Sequence, residues 1–249
     1  MVVRHSGDIR GLVEAGKVAA ETVAEMAKKL RPGVTTGQLD GVGEGVIKRY
    51  GAESAPRYFY RFPGATCVSV LPVIAHGIPG DQRIRPGDVV NIDVSVYLNG
   101  FCADTGMTVL VEPKNVAAHK ICRAASAALK QAIKIVKPRV LINEVGKVVQ
   151  AEAERHGLKV VRNICGHGLG ATLHEAPEYI INFYNAREKS RFAEGQVVAI
   201  EPFISSGAEY AKEKGDGWGL TVPRGCWVAQ YEHTLILLKD ETVVTTARA

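Results

Sequence analysis

Cysteine is scarce in this 249-residue chain, and the few present form no pattern. Cys67, Cys102, Cys122, Cys165 and Cys226 are odd in number and none is spaced as CxxC. That excludes a disulfide framework and a thiolate metal site, and leaves reduced thiols. Long apolar runs are also missing. No stretch approaches the roughly 20 residues of a membrane span, and the opening MVVRHSGDIRGLVEAGKVAAE is amphipathic and mixed in charge, unlike a signal peptide. A cytoplasmic protein with no membrane contact is expected. Neither sign of charge dominates: the net charge is +5 and the lysines and arginines are scattered, which is no nucleic-acid footprint. Nothing reads as a linker. With 46% hydrophobic and 23% charged residues, the composition is that of one globular domain over 1–249.

What is present begins with NIDVSVYLNGFCADTG, residues 91–106, apolar enough for two buried strands yet carrying an aspartate in each half. A carboxylate stripped of water needs a partner, a proton or a cation. Asn99-Gly100 between two β-rich runs predicts a hairpin with a two-residue type I′ turn. That turn pairs Leu98 with Phe101 and Ser95 with Asp104. Asp93 and Asp104 then share a face as diagonal neighbours about 7–8 Å apart at Cα, within reach of one ion. A three-residue loop would place them on opposite faces. The plainer alternative is one aspartate satisfied by backbone amides and one at a strand end.

The chain repeats a plan. Apolar Ile9, Leu12, Val13, Val23, Met26 and Leu30 fall at helical spacing, Arg31-Pro32-Gly33 ends that helix, and Thr35 with Gln38 forms a capping box for a second helix to about Tyr50. Residues 29–51 align with 135–157 so that Pro32 meets Pro138, Val34 meets Val140, Val42 meets Val148, Arg49 meets Arg155 and Gly51 meets Gly157. Two halves, about 1–112 and 113–249, each helix-helix-strands, predict an α+β fold with helices on one side of an antiparallel sheet.

The second half holds further acid and imidazole groups. GHGLGATLHEAP, 166–177, flanks His167 with glycines and adds His174; QVVAIEPFI, 196–204, reads as an apolar strand carrying Glu201; WVAQYEHTLILL, 227–238, reads as another carrying Glu232. Each residue alone fits a structural role. Two aspartates, two glutamates and one imidazole together suit Mn, Fe, Co or Zn, and so many carboxylates suit two ions about 3.5–4 Å apart and hydrolytic chemistry. His76, held in VIAHGIPG, is a candidate proton donor or substrate contact, or a solvated turn histidine.

These segments resemble the type I methionine aminopeptidases, metallopeptidases of the pita-bread fold, through FPGATCVSV, AHGIPG, GDVVNIDVSVYLNGFCADTG, GHGLG, LHEAP, AIEPF, DGWGLTVP and QYEHT. The resemblance covers nearly the whole chain. It implies that Asp93, Asp104, His167, Glu201 and Glu232 ligate two divalent ions (Co, Mn, Fe or Zn), with Asp104 and Glu232 bridging. It also implies that a water between the ions is the nucleophile, with Glu201 accepting its proton, and that His76 and His174 flank the scissile peptide. Phe59, Phe62, Cys67 and Trp218 match positions around the methionine pocket. The implied substrates are nascent polypeptide N-termini with a small second residue, met by a monomer in transient contact with the ribosome. A prolidase of the same fold and a metal-free binding module are the rival readings. The chain departs from the family at Leu71-Pro72 and Val228, beside a monovalent-cation site of many relatives, and at Tyr60, where a smaller or imidazole residue is usual.

Overall fold

The computed structural model describes residues 1–113 and 115–247. Helix α1 (Ser6–Lys29) buries Leu12, Ala15, Val18, Ala19, Val23 and Met26 along one stripe and ends with Lys28 and Lys29, cations that suit a helix C-terminus. Helix α2 (Thr36–Arg49) opens on the expected capping box: Thr35 accepts from the Gln38 amide and Gln38 accepts from the Thr35 amide. Strand β1 (Glu53–Ser54) and the short helix α3 (Ala55–Tyr60) follow, then β2 (Cys67–Val70), β3 (Val73–Ala75), β4 (Val89–Leu98) and β5 (Phe101–Leu110). Asn99 and Gly100 join the last two with φ of 50° and 90°, positive at both central positions as a type I′ turn requires. Leu98 pairs with Phe101 and Ser95 with Asp104, the register inferred from the turn.

The second half runs through α4 (Val116–Ile135), whose first amides are capped by the Asn115 side chain, α5 (Ile142–Arg155) and β6 (Lys159–Val160). The ends of α1 and α4, both ends of α2 and α5, and the starts of β1 and β6 all lie at one offset of 106 residues, the offset of the sequence repeat. The turn between helices repeats in detail. Gly33 (φ 89°) and Arg139 (φ 71°) occupy matching left-handed positions, and each carbonyl accepts an arginine Nη1, from Arg83 and Arg191 respectively.

The remaining strands are β7 (Gly166–Gly168), β8 (Glu175–Ile180), β9 (Val197–Ile200), β10 (Phe203–Ser205), β11 (Lys212–Glu213), β12 (Leu220–Thr221), β13 (Val228–Gln230), β14 (His233–Leu237) and β15 (Thr242–Val244). Every strand pairing among the described residues is antiparallel, in four sheets: β1-β4-β2 with β5 beside β4, β13-β10-β6, β11-β12-β3, and β15-β14-β9-β7-β8. α1 and α2 cover the first sheet over a core containing Val23, Ile47, Ile92 and Val96; α4 and α5 cover strands of the second half over Ile121, Val149, Val198 and Ile204. Each such side chain, fully buried, contributes about 1.5–3 kcal/mol.

Two expected strands are corrected. Residues 196–204 divide into β9 and β10, and 227–238 into β13 and β14; β9 and β14 pair in the five-stranded sheet, β10 and β13 in a three-stranded one. Pro202, which has no N–H to give a ladder, lies at the first break. At the second, the Glu232 amide leaves its own sheet to bond the Gly106 carbonyl. Glu201 and Glu232 therefore sit where the chain passes from one sheet to another.

Candidate metal centre

The hairpin places Asp93 opposite Gly106 and Asp104 opposite Ser95, and the two carboxyls share a hydrogen bond. The crossing points add Glu201 and Glu232, and β7 adds His167 between two glycines. A side chain at Gly166 or Gly168 would collide with the carbonyls of Ala199 and Ala176, so both glycines let neighbouring backbone close around the imidazole. His167 Nε2 lies 3.7 Å from Glu201 Oε1 and 3.9 Å from Asp104 Oδ2. One ligand atom each of Asp104, His167 and Glu232 falls within 4.8 Å of the others. His167 Nδ1 is 2.9 Å from the Gly168 carbonyl, so it is Nδ1 that carries the proton. The Nε2 lone pair is left bare toward the carboxylates, as in a metal ligand.

Polar residues brace this group. Asp104 and Thr234 are linked reciprocally: the Asp104 amide donates to Thr234 Oγ1 (2.8 Å), which donates to the Asp104 carbonyl (2.7 Å). Gln230 Nε2 donates to Glu232 Oε2 (2.9 Å) and its Oε1 accepts from Asn91 (2.7 Å), while Asn182 donates to the Glu201 carbonyl (3.1 Å). A Cβ at Gly106 would strike the Gln230 amide, so that glycine makes room for the brace. Sequence reasoning missed these residues. The signal was present: Asn91, Gln230 and Thr234 each stand two residues from a ligating acid, the spacing that keeps a strand face.

Asp104, Glu232 and His167 are at most 6% exposed. Burial first, then mutual repulsion, lifts the carboxyls of Asp93, Glu201 and Glu232 well above their usual range, and burial raises Asp104 also. Ser95 also donates to Asp104, which partly offsets the rise there. Burial lowers His167 to about 4, so its ring is neutral at pH 7. Among the described residues no lysine or arginine pairs with the four acids, and Asp104 Oδ1 is buried with no hydrogen-bond partner. A divalent cation meets each of these needs at once: it satisfies the orphaned oxygen and removes the repulsion. Carboxylates with one imidazole are the donor set for such an ion. The Cys67 thiol, in register with Asp93, is pushed up by burial and by the acids, so no thiolate competes.

The metallopeptidase family M24 model matches residues 10–239. The chain belongs to metallopeptidase family M24. Among M24 relatives it is 40% identical, over 99% of both chains, to methionine aminopeptidase 2 of Bacillus subtilis. The crystal structure of methionine aminopeptidase from Rickettsia prowazekii superposes with a TM-score of 0.93 at 33% identity, covering 99% of this chain and all of that one. A prolidase from Pyrococcus furiosus shares the pita-bread fold (TM-score 0.79, 20% identity), with this chain spanning 66% of its length. The M24 chain thus has the expected α+β pita-bread fold and divalent-metal chemistry, and among the described residues no helix is long and apolar enough to cross a membrane.

The remaining candidate residues surround this M24 centre unevenly. The His174 ring lies against His167 with centroids 4.1 Å apart and planes tilted by 39°. His76, at a left-handed φ of 51°, is open to solvent on one side, while the protein around its remainder lowers its pKa and the Asp104 charge acts against that. Phe62 and Trp218 meet edge to face at 5.1 Å. Phe59 packs instead with Tyr58 and Tyr97. Leu71 and Val228 line a crevice of only about 10 Å³. Of two larger clefts, about 860 and 500 Å³, the first takes in Leu71 and Pro72 but neither contains an acid or histidine of the centre or Phe59, Phe62, Cys67 or Trp218, so the chemistry of the side chains and not cleft volume marks the site.

Proposed function

We propose that this chain removes the N-terminal methionine from peptides and nascent proteins whose second residue is small. One observation carries the reading: Asp104, Glu232 and the bare Nε2 of His167 cluster together with Asp93 and Glu201, among the described residues no lysine or arginine pairs with them, and the His174 ring lies against His167. Asp93, Asp104, His167, Glu201 and Glu232 would hold two divalent ions, drawn from Mn, Co, Fe or Zn. When bound, the ions activate water near neutral pH and polarise the scissile carbonyl. Glu201 takes the proton of the attacking water at its carboxylate. His174 donates to the carbonyl oxygen as negative charge develops there, and His76 assists the departing amine. Phe62, Trp218 and Cys67 are assigned to the apolar slot for the methionine side chain, and Phe59 to it from its own cluster with Tyr58 and Tyr97. We further assign the whole span 1–249 to one catalytic domain with halves of about 1–112 and 113–249, acting as a cytoplasmic monomer that meets the ribosome transiently.

Specificity follows from crowding. A large second residue between His76 and His174 would push the scissile carbonyl aside, and about 1 Å of misplacement can cost roughly 10²-fold. The test is a peptide panel with added Mn, Co, Fe or Zn. Efficient release from Met-Gly, Met-Ala and Met-Ser, partial release from Met-Val and almost none from Met-Leu or Met-Lys is expected. Equal rates on Met-Ala and Met-Lys, or a preference for X-Pro peptides, would refute the reading.

A further inference from the structure

Tyr60 closes α3 immediately before Arg61, whose left-handed φ of 61° turns the chain toward buried Phe62. That turn delivers the phenol to a residue 114 positions away: its Oη lies 2.8 Å from Nδ1 of His174, with the rings tilted 52° at 5.4 Å. On its other side the His174 ring meets His167. The imidazole is thus held between the metal centre and one hydroxyl. A hydroxyl facing an imidazole nitrogen can donate or accept, and each choice fixes which ring nitrogen bears the proton. A tyrosine keeps its proton at neutral pH, and burial raises Tyr60 further, so the phenol has a proton to give.

We propose that Tyr60 is a positioning residue for the methionine-releasing reaction: its O–H donates to Nδ1 of His174, so that the ring carries its own proton on Nε2 and presents that N–H to the scissile carbonyl. The proposal rests on the reading of His174 as the oxyanion donor. The opposite tautomer would turn a lone pair toward the developing negative charge, where a donor is needed. The bond also occupies Nδ1, which removes that nitrogen as a competing metal ligand. It joins the first half of the chain to the second directly at the site. No proton leaves Tyr60; its effect is a bias on the tautomer and rotation of a neighbouring ring.

Tyr60→Phe, made in the full-length metal-loaded enzyme, deletes the hydroxyl and keeps the ring. On a Met-Ala peptide kcat should fall about three- to tenfold while KM changes by less than about twofold, the scale of one neutral hydrogen bond expressed in the transition state. In a His174→Ala background the same substitution should change nothing further. Spectra of ¹⁵N-histidine-labelled, zinc-loaded protein, with the signal assigned by its loss in His174→Ala, should show the Nε2–H form in the wild type and a mixture in Tyr60→Phe. An unchanged kcat, an effect that persists without His174, a change confined to KM, or a wild-type proton on Nδ1 would each overturn the proposal. A wild type that releases no methionine would refute the function instead, and the spectra would still decide the hydrogen bond.

Discussion

Replacing Asp104 by asparagine should stabilise the metal-free protein while abolishing metal uptake. Asp104 is buried, leaves Oδ1 without a partner, and adds to the charge repulsion that lifts Asp93, Glu201 and Glu232. A buried, unsatisfied polar group costs about 1–3 kcal/mol, more when charged. Asparagine keeps the shape and the hydrogen bond to Asp93 and removes the charge, so the part of that cost due to the buried charge and its repulsion should be recovered although one amide atom stays where Oδ1 was. For a chain of this size each kcal/mol moves Tm by about 2–4 °C, which predicts a rise of roughly 2–12 °C in chelator. Added Mn or Co should reverse the ranking: the wild type gains about 2.7 kcal/mol at a hundredfold excess over Kd, and the variant gains little. Calorimetric melting of both proteins, with chelator and with metal, measures the four values. A variant that melts below the wild type in chelator, or that metal stabilises equally, would refute the argument that an unpaired acid is waiting for a cation.

Two further outcomes concern stability. Burial holds the folded His167 near 4, below its ordinary 6.5, so its contribution is complete above pH 6.5 and is lost as pH falls toward 4. In metal-free protein the stability of the wild type relative to His167→Gln should therefore shrink between pH 7 and 4 by up to about 3 kcal/mol, at about 1.4 kcal/mol per unit; a difference that stays flat in urea titrations would contradict burial as the cause. Arg139→Gly should raise the urea midpoint, since relief of the left-handed backbone, roughly 1–2 kcal/mol, exceeds the added freedom of glycine in the unfolded chain, about 0.4–1 kcal/mol. A lowered midpoint would show that the Arg139 side chain outweighs its backbone.

Much of this site was legible because its determinants are local. Asn99-Gly100 sets the register that puts Asp93 and Asp104 on one face, and a reader needs only the turn rule and a period of two to find it. The repeat at 106 residues is likewise a pattern along the chain. Glu201 and Glu232 were legible as acids in apolar surroundings, but not as breaks: a continuous apolar run does not record that its two ends pair with different sheets, because that choice depends on partners far along the chain. The Asp104–Thr234 clamp and the Tyr60–His174 bond join residues 130 and 114 positions apart and need three-dimensional closure. The left-handed backbone of His76 had no glycine or asparagine to announce it.

Among the described residues the acids are braced by amides and hydroxyls and by no lysine or arginine, and that bears on how a cell supplies the enzyme. A protein cation in the cluster would have to be displaced before loading; a neutral brace imposes no such exchange, and the entering ion meets only carboxyl protons. Oxygen-rich sites with one imidazole follow the general affinity order of divalent transition metals and discriminate mainly through what is available. One polypeptide should therefore exist as several metalloforms, set by which divalent transition metals the growth medium supplies, with the balance shifting toward loading as the surrounding pH rises.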